Sequence, residues 1–138
     1  MGLQHMRIGQ VAELTGLSLR TIRYYEELGL VIPSSRSSGG FRLYTETDVA
    51  RLRLVKRMKP LDFSLDEMKD VLGVLDALED TEPTGPPHAD LLERLVMYRE
   101  AADVRVIALR DKLAVAEEFA ADLRREVRRR KRLASQHQ

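Results

Sequence analysis

Residues 18–28 read SLRTIRYYEEL, and the reading of this stretch decides the fold. Ser18 suits an N-cap, since its hydroxyl can accept from first-turn N–H groups that lack a helical partner. Ile22, Tyr25 and Leu28 recur every three residues and predict a core-facing stripe. Arg20, Arg23, Tyr24 and Glu27 recur every three or four and share the opposite face. Two arginines and a tyrosine displayed together have the donors to meet guanine edges and phosphate oxygens.

The preceding residues 8–15, IGQVAELT, form a short apolar-periodic run through Ile8, Val11, Ala12 and Thr15. Ala12 is small where two helices would cross, and Gly16 tolerates the left-handed backbone that a tight turn demands. Val11, Leu17, Ile22 and Tyr25 are expected to close the core between the helices. A plain helical hairpin shares some of these features, but the whole set describes a helix-turn-helix.

Downstream, Gly29 is a helix stop. Residues 34–40, SSRSSGG, make a turn-rich loop whose Gly39-Gly40 pair can close a hairpin. Residues 41–44, FRLY, alternate: on a strand Phe41 and Leu43 would face the core, while Arg42 and Tyr44 would face outward together. Such a hairpin is a wing, reaching the sugar-phosphate backbone with Arg36, Arg42 and Tyr44; a plain amphipathic strand is the alternative.

The run IGQVAELTGLSLRTIRYYEELGLVIP, followed by GGFRLYTETDVARLRLVKRMK and FSLDEM, closely resembles the DNA-binding domain of the MerR family of transcription regulators, over residues 6–78. The resemblance implies DNA contact by Ser18, Arg20, Thr21, Arg23 and Tyr24 in the recognition helix, and by Arg36, Arg42 and Tyr44 in the wing. Phe41 stands where the family often has tyrosine. Asp62 stands where the family usually has glycine before Phe63; aspartate visits the left-handed region less easily. The resemblance also implies a homodimer on an inverted-repeat promoter operator, distortion of the promoter spacer, and RNA polymerase as a partner.

Residues 45–48, TETD, and 64–67, SLDE, each read as a capping box. The first opens a helix through Val49, Leu52, Val55 and Met58, the second one through Leu65, Met68, Val71, Leu72, Leu75 and Leu78. Both methionines are read as packing residues. Arg51, Arg53, Lys56 and Arg57 are read as solvated helix charge.

Residues 79–87, EDTEPTGPP, with one Gly and three Pro, form the predicted linker. Neither residue type occurs from 88 to 133. There Leu92, Leu95, Ala102, Val106, Leu109, Leu113, Ala116, Ala120, Leu123 and Val127 alternate three and four apart, broken only at Arg99. That is a heptad seam. A helix of ~45 residues is ~65–70 Å long, too long for this domain to bury, so a second copy of itself is the simplest partner. Residues 134–138 are left as a tail.

Charge is asymmetric along the chain. Residues 1–59 hold 10 Lys/Arg against 5 Asp/Glu, residues 60–100 hold 3 against 11, and residues 101–138 hold 10 against 6. A basic first segment suits a polyanion. The absence of cysteine excludes disulfides and thiolate metal sites. His5, His88 and His137 lack ligand spacing, and no metal or cofactor is expected. No apolar run approaches ~20 residues, so no membrane partner is expected, and cytoplasmic location is. No signal peptide is expected, and the opening residues 1–5, MGLQH, are kept out of the fold reading. No nucleophile motif or phosphate loop points to an enzyme.

The expected architecture is therefore mainly α: a winged helix-turn-helix domain with a small β-hairpin (residues 1–78), the linker, and a long C-terminal coiled-coil helix (88–133). The expected function is a sequence-specific regulator binding double-stranded DNA. The alternative is an architectural or adaptor protein whose coiled coil recruits another protein.

Overall fold

The computed structural model describes residues 5–33 and 35–137. Residues 1–4, Ser34 of the wing loop and Gln138 of the tail lie outside the described residues. Five α-helices and one two-stranded hairpin follow in order: α1 (Ile8–Thr15), α2 (Leu19–Glu27), β1 (Ser35–Arg36), β2 (Arg42–Leu43), α3 (Glu46–Met58), α4 (Leu65–Glu79) and α5 (Pro86–Gln136), with a 3-10 turn, Lys59–Leu61, after α3.

Local chemistry starts and stops these helices. Gly16 ends α1 in the left-handed region at φ 73°. Ser18 caps α2 by accepting from Thr21 N. Thr45 and Ser64 open α3 and α4 as full capping boxes, with Asp48 and Glu67 returning the bond to the cap backbone. Asp62 holds φ 58° without being glycine, so the turn before Phe63 survives the departure from the family pattern. Its N–H donates to Lys59 O, closing the 3-10 turn.

One core serves α1 to α4. Val11, Ile22, Tyr25, Leu30, Val31, Val49, Leu52, Val55, Met58, Phe63, Met68, Val71, Leu72 and Val74 are buried in it. Both methionines pack as expected, whereas Leu17 and Ala12 are only half-buried. Three of the α3 cations are structurally occupied. Lys56 Nζ donates to Thr15 O at 2.9 Å and Arg53 to Leu14 O at 3.0 Å, capping the negative end of α1. Arg51 pairs with Asp76 at 2.6 Å and ties α3 to α4.

The wing departs from the predicted alternation. Phe41 is 56% exposed, with the Arg7 guanidinium 4.5 Å from its ring centre. Tyr44 is fully buried. Its backbone pairs with Met6 in both directions, at 2.7 and 2.8 Å. The expectation that Phe41 faces the core and Tyr44 faces DNA is therefore corrected. The β1–β2 ladder has only two residue pairs, Ser35 with Leu43 and Arg36 with Arg42. So short a ladder does not hold its own facing; Met6 pairing and a buried partner for the Tyr44 hydroxyl decide it.

Helix α5 is continuous over 51 residues, longer at both ends than predicted. Pro86 and Pro87 fall in its first turn, where proline loses no helical bond. The connecting segment thus shrinks to residues 80–85. The compact N-terminal unit reaches Tyr98, taking in the start of α5. There Arg94 pairs with Asp70, Tyr98 donates to the other Asp70 oxygen at 2.5 Å, and the Tyr98 ring lies 6.3 Å from Phe63. The second unit is α5 from Arg99 onward. None of its described residues is buried; Leu113 is 59% exposed, and Leu109, Leu123 and Val127 are exposed with it.

Candidate nucleic-acid interface

Helix α2 displays the expected side chains. Ile22 and Tyr25 are buried, which turns Arg20, Arg23, Tyr24 and Glu27 to the opposite, exposed face. Arg20, Thr21, Arg23, Tyr24 and Glu27 line one surface concavity. Ser18 caps the helix, as its sequence position predicts. Its hydroxyl accepts from Thr21 N at 3.0 Å and donates to Thr21 Oγ1 at 2.8 Å. Capping occupies it, and Thr21 keeps a hydroxyl proton to donate outward.

The wing is joined to this helix through a residue the sequence reading did not single out. The side chain of Glu26 is only 9% exposed; its Oε2 lies 2.7 Å from Arg42 Nε. The Tyr44 hydroxyl donates to its other oxygen. Burial raises the Glu26 carboxyl above the usual range, and the positive charges of Arg42, Arg36 and Arg23 pull it back down. Glu26 thus joins recognition helix, β2 and the end of the wing in one contact. The sequence signal was a carboxylate at the edge of the buried α2 face, upstream of a hairpin carrying two arginines. Tyr44, expected to touch DNA, instead braces the wing from inside.

Arg36 and Arg42 are cross-strand partners, and Arg36 Nη1 donates to Gly40 O at 3.1 Å. Like charges directly opposite on a hairpin oppose its formation. Glu26 offsets part of that repulsion from below.

A conserved-domain comparison matches the MerR HTH family regulatory protein model over residues 6–74. The chain belongs to the MerR family. A relative in Bacillus cereus, the mercuric resistance operon regulatory protein, is 46% identical over 70 residues, which are 51% of this chain and 53% of that one. The chain spans about half the length of the curated relatives it matches. Among solved structures, a MerR family transcriptional regulator from Bacillus thuringiensis superposes with a TM-score of 0.67 at 19% identity, covering 87% of this chain and 97% of that one. HiNmlR, a MerR family regulator lacking the sensor domain and bound to promoter DNA, superposes with a TM-score of 0.59 at 23% identity, over 86% and 89%. Both structural likenesses are of fold. They show that this chain's helix-turn-helix, wing and long helix share the architecture of those two structures.

Among the described residues no group of three or more His, Asp or Glu side chains is placed to hold a metal ion. Also among them, no helix is long and apolar enough to cross a membrane.

Proposed function

We propose that this MerR-family chain is a sequence-specific regulator that binds a promoter operator as a homodimer in the cytoplasm. The observation that carries the reading is the display of Arg20, Arg23 and Tyr24 on one face of a capped helix, with a wing bound to that helix through Glu26. Arg20 and Arg23 have the fork geometry to read guanine O6 and N7. Arg36 and Arg42 add phosphate contacts that set register.

The seam from Leu92 to Val127 supports self-association. A heptad stripe this long on an exposed helix has no partner of equal length within one chain, whereas a second copy offers one by symmetry. Two-fold symmetry in turn predicts an inverted repeat whose half-sites lie a whole number of helical turns apart. Bending or untwisting the DNA between them costs on the order of several kcal/mol, so the two reading heads must be held rigidly. At a promoter, such distortion changes how RNA polymerase meets its two elements.

Selection of bound duplexes from a random pool tests the reading. An enriched inverted repeat, bound by a species of twice the chain mass in light scattering, is the expected result. Enrichment of direct repeats, or of no motif, overturns it.

A further inference from the structure

We propose that Arg7, Arg23, Arg36 and Arg42 form a cradle for a single backbone phosphate, with Arg7 a DNA-contacting residue that the helix-turn-helix pattern does not include. The proposal rests on the DNA-binding reading above and names a new contact within it.

Four arginines from four places in the chain line one concavity of about 150 Å³. Arg7 precedes α1, Arg23 comes from the recognition helix, Arg36 from β1 and Arg42 from β2. Phe41 and Ile8 complete most of the wall, and no carboxylate lines it. Ile8 is the first residue of α1, so the positive end of that helix opens on the same space.

Three of these side chains are held in place. The Arg7 guanidinium lies over the Phe41 ring, a cation–π contact that restrains the group beside the wing. Arg36 is tied to Gly40 O, and Arg42 is held at Nε by Glu26. The exposure of Phe41 gains a purpose here: an apolar ring on the wing restrains Arg7. Glu26 is the one carboxylate paired within this group, on Arg42, so the four guanidinium groups leave positive charge in excess in the free protein. A doubly liganded phosphate oxygen pair offsets that excess through bidentate bonds. The chemistry required is a tetrahedral oxyanion, and the position between recognition helix and wing makes a DNA phosphodiester its source.

The test uses the full chain and a fluorescent non-specific duplex, titrated at several KCl concentrations. Arg7→Ala is expected to weaken binding on the order of five- to tenfold and to reduce the slope of log K against log salt by up to about 0.9 per protomer, the value for one phosphate contact. Arg7→Lys is expected to keep the slope, since the charge remains. Thermal melting of each variant guards against loss of fold, and Arg7→Gln serves if Arg7→Ala melts early. At constant ionic strength, inorganic phosphate competes with duplex for wild type more than for Arg7→Ala. An Arg7→Ala slope equal to that of wild type overturns the cradle, as does phosphate binding that Arg7→Ala abolishes without any change in duplex affinity. A wild-type chain that binds no duplex overturns the DNA-binding reading and the cradle together.

Discussion

Glu26 shows how one side chain carries two opposed demands. Burial makes its charge costly, yet its charge holds Arg42. Because folding raises its pKa, the folded state binds the proton more tightly than the unfolded chain. Its favourable contribution is therefore complete below the ordinary glutamate range and is lost as pH rises through the raised value. Glu26→Gln removes that slope. Denaturant unfolding at several pH values should show the variant gaining stability relative to wild type from acid toward neutral pH, while duplex affinity at neutral pH falls because Arg42 loses its anchor. Gly16 is a simpler case. Its φ of 73° is a left-handed conformation, and an added Cβ would sit 3.0 Å from Lys56 Nζ. Gly16→Ala should cost about 1–2 kcal/mol in chemical denaturation. At the reading face, Arg20→Ala should lower operator affinity by about 1–3 kcal/mol in anisotropy titration. Its melting temperature should not change, since Arg20 is exposed and caps nothing.

Elements meet most tellingly where α4 touches the start of α5. Asp70 accepts from Tyr98 and pairs with Arg94. The Tyr98 hydroxyl, and after it Arg94, hold the Asp70 carboxyl below the usual aspartate range. The same bond pushes the Tyr98 hydroxyl up to about 12. A lowered carboxylate pKa gives stability that is present above the unfolded value and is lost as pH falls through the folded one. Tyr98→Phe should thus destabilise the chain at neutral pH, with the penalty fading in acid as Asp70 protonates in wild type. Unfolding curves across that range check the direction. These contacts were not legible in sequence: residue 70 belongs to one periodic run and residues 94 and 98 to another, and the linker reading drew the boundary before α5. The helices themselves were legible, because capping boxes at residues 45 and 64 and three-four spacing are local signals.

At the scale of the whole molecule, the proposed self-association rests on the exposed seam. Leu109 and Leu113 lie at its middle, exposed on a helix with no buried residue. Placing two carboxylates there, Leu109→Asp with Leu113→Asp, puts like charges face to face in any self-pairing of that stripe. Light scattering should then report the single-chain mass, with the melting of the compact N-terminal unit little changed. A double variant that keeps twice the chain mass would remove the seam from the interface.

Helix positions, their caps, the turn at Gly16, the outward face of α2 and the long C-terminal helix all follow from residue order. Each depends on interactions between neighbours a few positions apart, and those spacings are written in the chain. Tertiary structure alone decided which way the wing faces, the burial of Tyr44, the Glu26 contact and the gathering of Arg7 with the wing arginines. Those features join residues far apart in sequence around a ladder of two pairs, where distant packing outweighs local alternation.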